Sequence, residues 1–210
     1  MLAGGAKQTL VNDLLAAIRG AGLTPDMIVP GLIGPANAFE LAMPDIFSKE
    51  VVALVDMGFK NSSISILSEG EFAMSRVVGI GGDKITSGLA ETIGCPISEA
   101  EGLKLGMTGE PTVQAGLEPL LIPLGRELRA SLDFFEHQSE KTVGQVFLSG
   151  AAAQSEYFSQ CLQSELMVPC KKWNPVGSLP MTMPAQQMAE IEQLAPGLAV
   201  AFGVAACGMN

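Results

Sequence analysis

The stretch VVALVDMGFKNSSISILSEGEFAMSRVV (51–78) decides the fold. Val51 to Val55 form a continuous apolar run, as a central strand buried on both faces does. Asp56-Met57-Gly58 closes that run in a turn. Ser63-Ile64-Ser65-Ile66 then alternates, the mark of a half-buried strand. Glu69-Gly70-Glu71 signals a hairpin, and Phe72 to Val78 reads as a third strand. Residues 51–78 therefore predict a three-strand antiparallel meander.

Upstream, residues 8–19 place Leu10, Val11, Leu14, Leu15 and Ile18 on one helical stripe, which Gly20 and Gly22 end. Residues 26–44 read as a short strand and a short helix broken by prolines. Downstream, the cluster Gly79-Ile80-Gly81-Gly82 leads into a helix that Asp83 caps and that runs to about Thr92. Ser98 and Glu101 form a capping box for another short helix. A longer helix over 117–137 buries Leu121, Leu124, Leu128, Leu132 and Phe135. Val143 to Leu148 is a strand, 154–165 a helix, and Met167 to Lys171 a short strand. Residues 175–190 read as a Pro- and Met-rich loop, and Leu194 to Ala206 as a small-residue helix. This order predicts an α/β fold, a mixed sheet with helices packed on it.

The chain has 210 residues, 48% hydrophobic and 16% charged, with a net charge of −10. The length suits one domain or two small lobes, and the apolar content excludes a disordered chain. The acidity excludes nucleic acid or an anionic bilayer as a partner held by bulk charge. The longest near-apolar run, Leu194 to Cys207, contains Pro196, Gly197 and Gly203. It falls short of the roughly 20 residues that span a bilayer, so no direct membrane insertion is expected. The opening MLAGGAKQTLVNDLL lacks the basic-then-apolar order of a signal peptide. Cys95, Cys161, Cys170 and Cys207 form no CxxC pair, and His137 is the sole histidine. A zinc site and a Ser-His-Asp or Cys-His catalyst are thereby disfavoured. The cysteines read as small apolar fillers in a reducing compartment.

Four stretches can carry chemistry. Asp56 and Gly58 end a buried strand, followed by Phe59, Lys60, Asn61 and Ser62. Such a turn can aim N–H groups at phosphate while the carboxylate holds a magnesium-bound water, or it is simply a tight turn. Gly81 and Gly82 belong to neither a Walker loop nor a GxGxxG pattern, and equally suit close strand-helix packing. Glu101 and Lys104 share a helix face, where they bracket a ribose or form an ion pair. Gly150 and Ala151 open a small-residue turn after a strand, which admits a flat ligand or close packing.

Strand-Asp-x-Gly, hairpin, Gly-Gly-Asp-x-x-Thr, Glu-x-x-Lys and strand-Ser-Gly-Ala-Ala, in that order, resemble the second half of the actin-like ATPase superfamily, of ribonuclease H-like fold. Within it, LGRELRASLDFFEHQ (124–138), LMVPCKKWNPVGSL (166–179), APGLAVAFGVA (195–205) and the head (2–31) are similar to the PilM family of bacterial type IV pilus assembly. That resemblance implies residues 1–48 as a remnant of a first domain, 49–193 as a second, and 194–210 as a closing helix returning toward the first. It implies ATP with Mg2+ as cofactor in full-length members. Asp56 would stand near the metal, Gly58, Phe59 and Lys60 would line the second phosphate loop, and Ser62 would support it. Gly81 and Gly82 would follow at the next turn, Glu101 and Lys104 would sit at the ribose, and Gly150 and Ala151 at the adenine.

The chain departs from the family pattern in lacking the first phosphate loop, in Ala151 where a second glycine is usual, and in the larger Phe59 and Lys60. One lobe cannot clamp both ends of a triphosphate, so no ATP hydrolysis is expected. Residues 2–6 would be the stub of a strand without neighbours, inviting rearrangement or self-association. The resemblance further implies a non-catalytic cytoplasmic scaffold, peripheral to the inner membrane, that binds the tail of a PilN-type protein, with residues 7–33 as the remnant of that groove. A cell-division scaffold like FtsA and a sugar-kinase-type phosphotransferase are the alternatives.

Overall fold

A computed structural model describes residues 5–106, 110–180 and 182–207. Helix α1 (Gln8–Gly20) comes first, then α2 (Gly34–Ala42) and α3 (Pro44–Lys49). Strands β1 (Val51–Met57), β2 (Ser62–Ser68) and β3 (Glu71–Val78) follow as the expected meander. Glu69 and Gly70, with φ of 52° and 86°, make the tight turn between β2 and β3. Next come α4 (Gly82–Ile93), α5 (Ile97–Lys104), α6 (Pro111–Ser139), β4 (Gln145–Ser149), α7 (Glu156–Leu166), β5 (Cys170–Lys172), α8 (Ala185–Leu194) and α9 (Ala199–Ala206).

The sheet order is β3-β2-β1-β4-β5, antiparallel through the meander and parallel from β1 to β4 to β5. β1 is central, and its alternation divides between two cores. Ala53, Val55 and Met57 pack with Leu89, Leu124, Leu128 and Leu162 under α4, α6 and α7. Val52 and Leu54 pack with Phe39, Phe147 and Trp173 on the opposite face. A strand covered on both sides has no polar face, which is why VVALV carries no alternation. On the second face α9 crosses α2 in backbone contact: a Cβ at Gly203 would collide with the Gly34 carbonyl oxygen.

Several local expectations are corrected. Residues 26–30 form no strand; the chain there leads into a short turn of helix at Gly31–Ile33. The α4 N-cap is Gly81, in extended backbone, and Asp83 lies within the first turn without a capping bond. Pro96, not Ser98, caps α5, and Glu101 turns its carboxylate elsewhere. α6 begins at Pro111, earlier than expected, and runs through Pro119 and Pro123. Both prolines lie on the exposed side, where water can serve the carbonyls their rings leave unpaired. The loop expected to reach residue 190 gives way to α8 at Ala185. Of the stub at 2–6, residues 2–4 lie outside the described residues, and 5–6 are exposed without regular structure.

Candidate functional site

β1 and β4 run parallel with Asp56 opposite Ser149 at their C-terminal ends, where open α/β sheets collect ligand chemistry. The Ser149 hydroxyl donates to Asp56 Oδ1 at 2.9 Å. Burial raises the Asp56 pKa above the ordinary carboxylate value, and the Ser149 bond offsets part of that rise. After β1, the turn closes through the Gly58 amide donating to the Asn61 carbonyl at 3.1 Å. The start of α4 docks on this turn: the Gly82 and Asp83 amides donate to the carbonyls of Gly58 and Phe59 at 2.9 and 2.8 Å. Gly81 is pressed against the backbone of residues 59–61, where a side chain would overlap it.

Beneath this turn lies a polar triangle with two buried corners, Lys104 and Thr86, and one half-exposed corner, Glu101. Lys104, 3% exposed, donates to Glu101 Oε2 at 2.7 Å and to Thr86 Oγ1 at 2.9 Å. Thr86 Oγ1 lies 2.6 Å from the same carboxylate oxygen. Burial pushes the Glu101 pKa up, but the Lys104 and Thr86 hydrogen bonds and the ammonium charge outweigh it, and the net shift is downward. The ammonium also sits against Gly82, where an added Cβ would come within 3.2 Å of Nζ.

On the β4 side, Gly150 has φ of 90° and lies flat on the Met57 backbone, a geometry that only glycine meets without strain. Its amide donates to the Pro196 carbonyl at 2.7 Å, tying the segment before α9 to the site.

These elements enclose a cleft of about 240 Å³. Asp56, Gly58, Phe59, Gly82, Glu101, Lys104, Gly150 and Ala151 all line it, so residues separated by almost a hundred positions converge as expected. Three expected residues do not line it. Ser62 is buried and gives its hydroxyl to the Ile80 carbonyl at 2.7 Å, a bond that joins β2 to the α4 entry. Gly81 is spacing for the turn, and Lys60 is exposed outside the lining. Sequence reading missed Met57, Ala152 and Gly197 in the wall and Thr86 behind it. Thr86 had a signal, as the last residue of Gly-Gly-Asp-x-x-Thr; Gly197 had none beyond its place in the closing segment. A second cavity of about 360 Å³ shares Lys104 and adds Leu105, Gln154, Ser155 and Lys172. No group of three or more His, Cys, Asp or Glu among the described residues is placed to hold a metal ion.

The family described as type IV pilus assembly protein PilM matches residues 1–208. Among solved structures, a PilM-PilN type IV pilus biogenesis complex aligns with a TM-score of 0.82 at 26% identity, covering 98% of this chain and 59% of that one. The ethanolamine utilization protein EutJ from Carboxydothermus hydrogenoformans aligns at 0.70, with 16% identity and coverage of 98% and 63%. MreB5 of Spiroplasma citri bound to ADP aligns at 0.66, with 12% identity and coverage of 96% and 65%. The latter two show the fold, which is actin-like. None of the curated proteins matches. The chain thus spans between 59% and 65% of the length of these solved relatives.

Proposed function

The chain belongs to the type IV pilus assembly protein PilM family, and from that premise we propose that it acts as a non-catalytic scaffold of pilus assembly. Its partner is the tail of a PilN-type inner-membrane protein, which holds it at the cytoplasmic side of that membrane. The observation that carries this reading is the match to a PilM-PilN complex over 98% of the chain. No helix among the described residues is long and apolar enough to cross a membrane. In this reading residues 1–48 belong to a first domain, 49–193 to a second, and 194–210 to the closing segment.

The cleft is, in this reading, one half of a nucleotide clamp, with ATP and Mg2+ as its ligand. Asp56 fits a magnesium that keeps several waters and phosphate oxygens. One of its oxygens is bonded to Ser149, leaving the other for a metal-bound water, and no cation pairs with it among the described residues. Glu101 and Lys104 would meet the ribose, and Gly150 and Ala151 the base. One feature favours docking over turnover. The first two amides of α4 are spent on the turn carbonyls, so they are not free to stabilise a transferring phosphoryl group.

Calorimetric titration with a synthetic PilN-type tail peptide is expected to give saturable binding, weakened by Leu10→Asp with Leu14→Asp. A phosphate-release assay with Mg-ATP is expected to stay at background. Absence of peptide binding overturns the scaffold reading, and sustained phosphate release overturns its non-catalytic part.

A further inference from the structure

Helices α4 and α5 meet at the cleft through one hydroxyl. Thr86 is 3% exposed, and its oxygen accepts a hydrogen bond from Lys104 Nζ. The single hydroxyl proton then has two acceptors in reach. Glu101 Oε2 lies at 2.6 Å, and the Gly82 carbonyl, one turn back on α4, at 2.8 Å. The carboxylate is the stronger acceptor, because a charged partner shortens and strengthens the bond. The carbonyl is the standard fallback of a helical threonine, which bonds four residues back.

The two carboxylate oxygens of Glu101 are unequally used. Oε2 receives both Lys104 and Thr86, and Oε1 receives no hydrogen bond from the described residues. The Glu101 side chain is 46% exposed while that of Lys104 is 4% exposed. The carboxylate is therefore pinned by Oε2 at the wall of the cleft, with Oε1 left for a ligand. Of the charged groups lining the same cleft, Asp56 and Lys104, only the ammonium touches it.

We propose that Thr86 is the positioning residue of the cleft. Its hydroxyl, shared between Glu101 Oε2 and the Gly82 carbonyl, orients the Glu101 carboxylate toward a ligand that carries vicinal hydroxyls. The fallback acceptor gives the arrangement its second state. When a ligand draws Glu101 away, the Thr86 proton turns to the Gly82 carbonyl while its oxygen still accepts from Lys104, so the hydroxyl keeps both its bonds and only the Lys104–Glu101 bond has to be replaced, by the ligand. For the ligand class, the proposal rests on the nucleotide reading above; for the hydrogen bonds it does not.

The test combines a titration and a binding comparison on the full chain. In the titration, the Glu101 side-chain carboxyl is followed by carbon NMR in wild type, Thr86→Val and Thr86→Ser. Thr86→Val is expected to move the Glu101 pKa upward, and Thr86→Ser to restore it. If valine overpacks the site, Thr86→Ala makes the same measurement with a smaller side chain. In the binding comparison, Mg-ATP is set against its 2′,3′-dideoxy analogue. Thr86→Val is expected to lose about tenfold in affinity for ATP and little for the analogue, the worth of one hydrogen bond to a charged group. An unchanged Glu101 titration in Thr86→Val overturns the proposal. Equal losses for both nucleotides also overturn it, since they mark a general structural role. A shifted titration in a protein whose wild type binds neither nucleotide supports the positioning role and breaks the nucleotide reading instead.

Discussion

Helices α1 and α6 carry the same kind of sequence pattern and meet opposite fates. α1 aligns Leu10, Val11, Leu14, Leu15 and Ile18 on one stripe, yet no residue of it is buried, and Leu10 is 54% exposed. α6 aligns Leu117, Leu121, Leu124, Leu128 and Leu132, and all are buried against the sheet and α7 despite two prolines in the helix. An amphipathic stripe states what a helix is able to bury. Whether it does so depends on another surface arriving to cover it, and most helical stability in proteins comes from that packing. α9 makes the point from the other side, since it is apolar all round and is placed by a glycine crossing with α2 rather than by a stripe.

The comparison is easiest to break in α6. Leu128→Ala is expected to cost about 2–5 kcal/mol in urea unfolding, the usual range for a buried leucine that leaves a cavity. A loss below about 1 kcal/mol would mean that α6 is not seated on the sheet as described. Gly203→Ala is expected to cost about 1–3 kcal/mol by forcing α9 off α2, although alanine favours helix elsewhere. A stabilised variant would show that contact does not place α9.

Asp56→Asn carries the comparison to a polar group. The folded-state pKa of Asp56 is raised, so its contribution to stability is greatest below the unfolded value, near 3.8, and is lost as pH rises through the folded value. Removing the charge is therefore expected to stabilise the protein at pH 7, and the gain should vanish toward pH 3. Thermal melts across that range check it, and a gain that persists at low pH would contradict burial as the cause. The smallest effect belongs to α1: Leu14→Ala should change stability by no more than about 0.5 kcal/mol. Repeating it with the tail peptide present distinguishes an idle stripe from one that binds.

The legibility of the molecule follows the range of the interactions involved. VVALV, the Glu69-Gly70 turn and the leucine stripe of α6 were readable because strand period, turn geometry and helix period act within a few residues. The line-up of Asp56, Glu101, Lys104 and Gly150 was readable only as an ordered set of weak motifs. Each alone suited a turn, an ion pair or close packing as well. Ser98 and Asp83 misled because capping chemistry is common to many helix starts, while Pro96 and Gly81 held the actual cap positions. Ser62, read as a supporting hydroxyl, does not line the cleft, and its bond to the Ile80 carbonyl braces β2 against the α4 entry.

Alternation, apolar runs and turn residues were enough to determine the meander, the long helix and an α/β class, since these depend on local backbone sterics and on which face meets water. The tertiary structure alone decided that β4 lies parallel beside β1, which sets Ser149 against Asp56 across 93 positions. It alone decided that Lys104 is buried between α4 and α5 while α1 stays bare. Such outcomes depend on desolvation and on partners distant in the chain, and no local pattern encodes how deeply a charge or a leucine will be covered.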